Sequence, residues 1–355
     1  MKIKIRKCAG ILMLWIMCIF VLTGCEQNQK KQAVTEKKTS EEEASIDVFA
    51  MDTYMTLKAY GKNAKSVLED AKAEIQRLDQ LWSVGNKKSE IYQLNQKKKL
   101  KVSEETLNLI EYGKRMNQVT GKAFDITIYP LMDLWGFTTE KYKVPTDEEI
   151  NEIRENQMGT QYIKINKKSR VVTLEHGIEI DLGGIAKGYT SQKIAELMEK
   201  EGVKHGVISL GGNVQSIGTK TDGSRWKVGI QSPDDSMEMV GAYQSKGESV
   251  ITSGAYERYF EKNGTVYHHI LDPSTGKPSR KNLTSVTIIS KNGTLADTLS
   301  TSLFIMGKDK AIQFWRNHSK EFQMILVDQN DKIYISQGIQ KYFTSDYNYT
   351  VVKDK

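Results

Sequence analysis

The stretch DLGGIAKGYTSQKIAELMEKEG, residues 181–202, says most about the fold. It joins an apolar, strand-like run to a helical run, with two glycines and Lys187 at the junction. Ile194 and Met198 contribute to one apolar face of the predicted helix, and Gly202 follows as a C-terminal cap. Together with the apolar run HGVISLGG that comes next, this segment predicts a strand, a helix and a second strand.

The junction before the helix has features of a phosphate site. Its glycines, at positions 183, 184 and 188, fit neither the GxGxxG pattern nor the Walker A pattern, so a classical nucleotide-binding fold is not predicted. Glycines nevertheless let a phosphate approach the backbone, a helix start offers free N–H groups, and Lys187 adds a positive charge. The alternative is a tight turn at Gly183 and Gly184 with a solvated Lys187, and this segment alone leaves both open.

Outside this segment, hydrophobic periodicity predicts a chain of alternating strands and helices. From Ile46, the run IDVFAMDTYMTLKAYG indicates one or two strands, and the following run NAKSVLEDAKAEIQRLDQLWS has the apolar spacing of an amphipathic helix. The other predicted elements are helices over 104–119, around 297–306 and near 310–317, two short strands around His176-Gly177, and further strands after Lys220.

The first 45 residues are typical of export and tethering. Residues 1–24 combine a basic start with an apolar run shorter than the roughly 20 residues that span a bilayer. They lead into LTGC, which resembles the lipobox of bacterial lipoproteins; the alternative is a simple membrane-spanning anchor. We therefore expect an extracytoplasmic protein that is lipid-anchored to the bacterial cell membrane. The predicted parts are a signal peptide (1–24), a lipidated Cys25 with a flexible tether (25–45), an enzyme domain (46–345) and a C-terminal tail (346–355).

Cysteine content and charge exclude two classes of function. Cys8 and Cys18 lie within the predicted signal peptide, so the exported part has only the anchor cysteine and no disulfide or thiol chemistry. Without the four basic residues of segment 1–24, the formal charge of +7 falls to +3. That is not the charge of a nucleic-acid-binding protein, so no nucleic-acid partner is expected.

Two segments contain aromatic or imidazole groups that suit a binding site. In YHHILDPSTGKP (267–278), His268 and His269 point to opposite faces if they lie in a strand, so at most one enters a given pocket, and DPSTG indicates a turn. The aromatic residues of GKAFDITIYPLMDLWGF (121–137) could stack on a flat ring. Core or surface packing is the alternative for both segments.

The segment ADTLSTSLFIMG (296–307) contains a possible metal site. Asp297 and Thr301 are four residues apart and so share a helical face. Carboxylate and hydroxyl oxygens suit a hard cation such as Mg²⁺, which usually takes few protein ligands. The alternative is ordinary helix capping by Asp297.

Taken together and in this order, these segments resemble the ApbE family, the FAD:protein FMN transferases, over most of residues 46 to 340. Seven ordered blocks are far less probable by chance than any one of them. One departure is Asp52, where the family more often has glycine, in a loop that borders the flavin site. The blocks are AMDTY (50–54), FDITIYPLMDLWGF (124–137), DLGGIAKGY (181–189), LGGN (210–213), TSGAYERYF (252–260), HHILDPSTGKP (268–278) and ADTLSTSLFIMG (296–307).

This resemblance implies an enzyme that binds FAD and Mg²⁺. It implies transfer of the FMN moiety to a Thr or Ser hydroxyl of an exported or membrane-bound flavoprotein with an FMN-binding domain, with release of AMP. The alternatives are an FAD pyrophosphatase, in which water replaces the acceptor hydroxyl, and a non-catalytic flavin-binding lipoprotein. The pair formed by Asp297 and Thr301 argues against the last, because capture of a flavin needs no metal at a diphosphate.

The resemblance also assigns roles to particular residues. It implies metal ligation by Asp297 and Thr301, with backbone oxygens of Ala186 and Ser300 completing the protein ligands. Lys187 is implied to act in catalysis through diphosphate or metal-site electrostatics, and His269 is a candidate general base near the acceptor hydroxyl. The residues implied to contact the cofactor are Met51, Tyr129, Trp135, Asp181, Gly183, Gly184, Lys187, Ser253, Gly254, Tyr256 and His269. The implied fold is α+β, with mixed or antiparallel sheets, packed helices and two subdomains with the flavin site between them.

Overall fold

The computed structural model describes residues 42–355. The predictions for the signal peptide, Cys25 and most of the tether therefore lie outside the described residues. Within residues 42–355, no helix is both long enough and apolar enough to cross a bilayer. The α-helices of this part are α1 (Ala64–Trp82), α2 (Glu90–Lys97), α3 (Glu104–Val119), α4 (Tyr129–Leu134), α5 (Asp147–Asn156), α6 (Gly183–Lys200), α7 (Gly293–Met306) and α8 (Lys308–His318).

The strands confirm the α+β class, and most of them pair antiparallel. Their bounds are β1 (Glu43–Ala50), β2 (Thr53–Tyr60), β3 (Lys99–Lys101), β4 (Ile163–Asn166), β5 (Val171–Leu174), β6 (His205–Leu210), β7 (Asn213–Gly218), β8 (Trp226–Gln231), β9 (Met239–Ser245), β10 (Ser249–Gly254), β11 (Tyr259–Lys262), β12 (Thr265–His268), β13 (Leu271–Asp272), β14 (Lys277–Pro278), β15 (Leu283–Ser290), β16 (Gln323–Asp328), β17 (Ile333–Ser336), β18 (Phe343–Thr344) and β19 (Tyr349–Val352).

A nine-stranded sheet organises the fold. Its strand order is β1-β2-β6-β7-β10-β15-β16-β17-β19, and only β17 and β19 pair in parallel. Two neighbouring residues of β10 pack in different hydrophobic clusters. Ile251 packs with residues of α7, whereas Val250 packs with residues of β8 and β9. Because successive side chains of a strand point to opposite faces, the sheet lies between helices on one side and the β18-β9-β8 sheet on the other.

Helix α1 shows why the predicted amphipathic run folds as it does. Its buried residues recur every three or four positions, from Val67 and Leu68 to Ile75 and Leu78. The part of this stripe up to Ile75 packs on β1, β2 and β6, whereas Leu78 packs with residues of α2 and α3. Burial of each such side chain contributes on the order of 2 kcal/mol of transfer free energy, so the stripe fixes which face meets the sheet.

The second strand predicted in VVTLEHGIEIDL is wrong. Val171–Leu174 forms β5, but residues 178–182 belong to no sheet. Their apolar side chains are buried, while their backbone is satisfied by other parts of the chain. The Asn95 side chain donates to Ile180 O at 2.9 Å and accepts from Ile180 N at 2.8 Å, and Asp181 N donates to Ile126 O. The apolar pattern therefore reported burial correctly and strand pairing incorrectly.

Replacing Asn95 by alanine is expected to lower the free energy of unfolding by about 3 kcal/mol. The substitution leaves the buried N–H and C=O of Ile180 unpaired, and each unpaired group costs about 1–3 kcal/mol. Equilibrium urea unfolding measures the change. Asn151→Ala, on the exposed face of α5, is the matched control, and equal small effects of both substitutions would contradict this role of Asn95.

The strands extend beyond both ends of the predicted enzyme domain, residues 46–345. Strand β1 begins at Glu43 and pairs with β2 from Glu43↔Tyr60 onwards, so the last residues of the predicted tether belong to the sheet. The predicted tail also contributes a strand, because Tyr349–Val352 pairs with β17.

The tip of the β1–β2 hairpin explains the aspartate at position 52. Ala50 pairs with Thr53, which leaves Met51 and Asp52 as a two-residue loop with φ values of 49° and 57°. Such loops need positive φ at both positions, where glycine is favoured and aspartate is tolerated. Asp52 therefore occupies a glycine-type backbone position without changing the loop length.

Candidate functional site

The site is built where the N-terminal halves of α6 and α7 cross. The two helices meet at Gly188 and Gly293, and a Cβ added to Gly188 would lie 2.3 Å from Gly293 O and 2.4 Å from Asp297 Cβ. This close approach lets Gly188 N donate to Asp297 Oδ2 at 2.7 Å. The glycine at 188 thus positions a carboxylate from a segment more than one hundred residues away in sequence.

Asp297 is a buried carboxylate held by neutral donors. It is 5% exposed, and its other oxygen accepts from Asn213 Nδ2 at 3.5 Å. Burial raises the pKa of Asp297 above its ordinary value, while the positive charge of Lys187 acts in the opposite direction. A bound cation at these oxygens would remove the cost of burying this charge.

Replacing Gly188 by alanine is expected to destabilise the protein by about 2–3 kcal/mol. The new methyl group would overlap backbone and Cβ atoms that belong to α7, so the two helices must separate and the Gly188 N to Asp297 bond lengthens. Thermal and urea unfolding measure the loss of stability. Gly85→Ala is the control, because the nearest atom to an added Cβ there is Ser83 Oγ at 4.0 Å; equal effects at the two positions would refute the crossing argument.

Three hydroxyl groups lie beside Asp297. Ser300 and Thr301 follow it on α7, and Ser253 reaches them from the end of β10. Ser253 Oγ is 2.8 Å from Ser300 Oγ and 3.2 Å from Thr301 Oγ1. Ser253, predicted to contact the cofactor, thus joins the predicted metal ligands. Within residues 42–355 there is no cluster of three or more His, Cys, Asp or Glu side chains suited to a metal, so a cation here would take hydroxyl and carbonyl oxygens besides Asp297.

Gly183 and Gly184 are the first two residues of helix α6, so the tight turn that was the alternative for this segment does not form there. Asp181 Oδ1 accepts from Gly183 N at 2.8 Å, and burial raises the pKa of this carboxyl. Gly183 is exposed, and an added Cβ at Gly184 would lie 3.0 Å from the ring of Phe124. Phe124 is therefore a packing residue beneath the helix start. Ala186 lies in the first turn and is 6% exposed.

His268 and His269 separate as predicted for neighbours at a strand end. His268 is buried, its Nε2 pairs with Ser279 O at 2.9 Å, and burial lowers its pKa. His269 is half-buried, and both its backbone N and its ring Nδ1 lie near Arg258 O, at 3.0 and 3.1 Å. Because a carbonyl only accepts, Nδ1 carries the proton and Nε2 keeps its lone pair.

Electrostatics favour a neutral His269. Burial, reinforced by the positive charges of Arg258 and Lys187, lowers the pKa of His269 to about 3. The guanidinium of Arg258 donates to Phe137 O, which holds the turn that carries Arg258 O. At neutral pH the imidazole is therefore deprotonated and able to accept a proton at Nε2.

Lys187 is half-buried and lies among three titratable groups. Its charge acts on the pKa values of Asp297, His269 and Glu257. Burial raises the pKa of Glu257 to about 7. The side chain of Glu257 is nevertheless partly accessible to solvent. Lys187 is thus placed to neutralise negative charge in this region.

Two predicted cofactor contacts flank the α6 start. Met51, at the hairpin tip, donates its N–H to Asp79 Oδ1 at 3.0 Å, and its sulfur lies 3.8 Å from Thr190 Oγ1 on α6. Tyr129 is half-buried at the start of α4, where burial and neighbouring carboxylates, including Asp181, raise its pKa to about 12. Both remain predictions as cofactor contacts.

Gly254 ends β10, and Tyr256 lies in the turn that follows. The turn is held by Ala255 N to Thr284 O and by Glu257 N to Gly254 O. An added Cβ at Gly254 would lie 2.6 Å from the ring of Tyr256, so the tyrosine packs over the glycine. Burial raises the pKa of Tyr256, which therefore stays protonated.

The assignment of Trp135 to cofactor contact is corrected by its burial. Trp135 is 2% exposed, packs against Phe260 and Tyr267, and donates its indole N–H to Gly276 O at 2.8 Å. No face of the ring is left for a flavin. Its role is to join the LWGF segment to the DPSTG turn, which forms as predicted around Asp272.

Sequence reasoning missed Asn213, Arg258 and Glu257. Asn213 is 2% exposed and contacts Asp297. The backbone carbonyl of Arg258 accepts a hydrogen bond from the His269 ring. The positive charge of Lys187 lowers the pKa of Glu257, against the effect of burial. Each lies in or beside a block that had already been recognised, LGGN or TSGAYERYF. Polar residues within such blocks were the signal that could have identified them.

Comparison with known proteins gives one consistent result. A family model described as ApbE family matches residues 51–326. The FAD:protein FMN transferase of Escherichia coli (strain K12) is 30% identical over 338 residues, which cover 92% of this chain and 95% of the relative. A protein of the same name from Klebsiella pneumoniae (strain 342) is 32% identical over 283 residues, covering 78% and 87% of the two chains.

Solved structures agree with the sequence comparisons. The crystal structure of the ApbE protein from Thermotoga maritima superposes with a TM-score of 0.79 at 32% identity, covering 85% of this chain and 99% of that chain. The flavin transferase ApbE from Vibrio cholerae superposes with a TM-score of 0.76 at 26% identity and the same coverage.

Proposed function

The chain belongs to the ApbE family, and on this premise we propose that it moves the FMN moiety of FAD onto a Thr or Ser hydroxyl of an acceptor protein, with release of AMP. Its relatives of closely similar length are FAD:protein FMN transferases, and this chain is an enzyme of the same kind. The finer parts of the proposal are Mg²⁺ dependence, the roles of individual residues, and an exported flavoprotein with an FMN-binding domain as acceptor.

One observation supports the proposal most directly: the Gly188 N to Asp297 Oδ2 bond of 2.7 Å. It brings an exposed, glycine-rich helix start together with a buried carboxylate. The first suits the negative charge of a diphosphate, because the start of a helix is the positive end of its dipole and glycines let a phosphate approach the backbone. The second suits a cation that would bridge protein and diphosphate.

The oxygen atoms around Asp297 fit Mg²⁺. The buried carboxylate of Asp297 accepts hydrogen bonds from two neutral donors, Gly188 N and Asn213 Nδ2. This carboxylate and the hydroxyl of Thr301, one helical turn later, are oxygen ligands of the kind that Mg²⁺ prefers. Backbone oxygens of Ala186 and Ser300 remain the proposed additional ligands. When bound, Mg²⁺ would neutralise charge on the diphosphate and on the leaving AMP.

The chain's own residues then have distinct tasks. Lys187 adds a second positive charge near the diphosphate, where phosphoryl transfer needs charge neutralised. His269 Nε2 takes the proton of the acceptor hydroxyl as its oxygen attacks the FMN phosphorus. The new phosphoester bond forms as the phosphorus–oxygen bond to AMP breaks, so FAD and the hydroxyl are converted into FMN-protein and AMP.

We also propose that the enzyme acts outside the cytoplasm on a lipid anchor at Cys25. The support is the basic and apolar start of the sequence and its LTGC motif, which lie outside the described residues. The residues between Cys25 and β1, fully extended, would reach on the order of 60 Å. Labelling with a radioactive fatty acid, compared between wild type and Cys25→Ala, tests the anchor.

The test of the function is the intact mass of an exported FMN-domain protein after incubation with the purified enzyme, FAD and Mg²⁺. The expected result is a mass gain equal to FMN minus water, together with one AMP per modified acceptor. Omission of Mg²⁺ should abolish both. Free FMN and AMP with an unmodified acceptor would contradict transfer and support hydrolysis of FAD.

A further inference from the structure

The three hydroxyls beside Asp297 form a hydrogen-bonded chain whose direction is fixed. Ser300 Oγ donates to Asp297 O at 2.8 Å, Ser253 Oγ lies 2.8 Å from Ser300 Oγ, and Thr301 Oγ1 lies 3.2 Å from Ser253 Oγ. A carbonyl can only accept, and each hydroxyl has one hydrogen to donate. Three bonds and three hydrogens therefore leave one arrangement.

That arrangement determines what Thr301 offers to the site. Ser300 donates its hydroxyl hydrogen to Asp297 O, so Ser253 must donate to Ser300. Ser253 can then only accept from Thr301. The hydrogen of Thr301 is thus directed at Ser253, and both of its oxygen lone pairs remain free. A hydroxyl that donates in such a chain is also a stronger acceptor, because hydrogen bonds in series polarise one another.

Other hydroxyls of α7 show what happens without such a partner. Thr298 donates to Thr294 O at 2.8 Å, and Ser302 donates to Thr298 O at 2.7 Å, each to the carbonyl four residues earlier. The equivalent carbonyl for Thr301 is Asp297 O, which already accepts from Ser300. Bonding back to the helix is the common choice of Ser and Thr in helices, and Ser253 holds Thr301 away from it.

We propose that Ser253 is a positioning residue for the metal site: it fixes the rotamer and the hydrogen direction of Thr301, so that Thr301 Oγ1 faces the cation with lone pairs only. The inference rests on the proposed function, because it assumes that Thr301 binds a cation. Ser253 then acts on the cation through Thr301. Partners of this kind typically change metal affinity by about 10- to 100-fold when removed.

The test compares Ser253→Ala with wild type in two measurements. Binding of Mn²⁺ is measured by electron paramagnetic resonance with FAD present and acceptor absent, and transfer is measured against Mg²⁺ concentration. We expect Ser253→Ala to raise the Mn²⁺ dissociation constant and the half-saturating Mg²⁺ concentration about 10-fold or more. The deficit in transfer should shrink as the Mg²⁺ concentration rises, because the substitution weakens the proposed metal site and leaves its carboxylate in place.

Two further variants separate positioning from packing. Ser253→Thr keeps a hydroxyl and is expected to recover most of the metal affinity. Thr252→Val removes the hydroxyl of the preceding residue, which pairs with Thr287 Oγ1 at 2.8 Å on the other face of β10, and should leave metal affinity within about 2-fold of wild type. The melting temperature of each metal-free protein checks that β10 is intact.

The outcomes distinguish this inference from the proposed function. If wild type binds no Mn²⁺ and transfers FMN without Mg²⁺, the metal site itself is refuted and Ser253 has no such role. If wild type binds Mn²⁺ and Ser253→Ala binds it equally well, only the role of Ser253 is refuted. Failure of Ser253→Thr to recover affinity would also overturn the hydroxyl chain.

Discussion

Replacing Asp297 by asparagine is expected to lower FMN transfer by about 10³-fold or more, which corresponds to about 4 kcal/mol of transition-state free energy. The substitution removes the only carboxylate of the proposed metal site. It also introduces a second conflict, because both partners of Asp297, Gly188 N and Asn213 Nδ2, are donors, and an amide presents an oxygen to only one of them. The measurement is AMP release and acceptor mass at increasing Mg²⁺ concentrations.

The control for this prediction is Asp328→Asn. Asp328 is 4% exposed, like Asp297, but it lies on β16 and accepts from Asn330 N, Lys332 N and the Tyr334 hydroxyl. Its replacement should reduce stability and leave the Mg²⁺ dependence of transfer unchanged. An equal loss of transfer in both variants would contradict metal ligation by Asp297. So would a wild-type transfer rate of Asp297→Asn at the Mg²⁺ concentrations that suffice for the wild-type enzyme.

The sequence predicts those elements whose signal is local. Helices α1 and α3 were predictable because their apolar residues recur at helical spacing, and α3 begins after Ser103, whose hydroxyl accepts from Thr106 N. The run at 178–182 was misassigned because its backbone partners, Asn95 and Ile126, lie far away in sequence. Apolar composition reports that a segment is buried and does not report what its N–H groups bind.

The same distinction applies to the site. Asp297 and Thr301 were predictable as a pair because residues four apart share a helical face. Their partners were not, since Gly188, Asn213 and Ser253 come from three other elements that only the fold brings together. The prediction that Trp135 contacts the flavin was wrong for a different reason. An aromatic residue within a recognised block suggests stacking on the flavin, and only the fold shows that this ring is buried in the core.

The state of His269 follows from its surroundings and has a pH dependence of defined sign. An unfolded chain has a histidine pKa near 6.5, whereas burial lowers the pKa of His269 to about 3 in the folded protein. The unfolded state therefore binds more protons between these values. The neutral, buried ring contributes its full share of stability above the unfolded pKa, and that share is lost as pH falls from about 6.5 towards 3. Over the same window Nε2 remains free to accept a proton.

Replacing His269 by asparagine is expected to slow FMN transfer by about 10²- to 10⁴-fold while FAD binding changes little, because a general base acts on the acceptor proton and not on the bound flavin.

His268→Asn is the matched control: its ring pairs with Ser279 O and packs on Phe304, so its loss should lower stability and spare transfer. Pre-steady-state transfer rates and FAD titrations separate the two effects. Because burial lowers the pKa of His269 to about 3, the wild-type kcat/KM should show no inflection near 6.5 from this group. His269 would not be the base if His269→Asn bound FAD more weakly but transferred FMN at the wild-type rate from the FAD that it does bind.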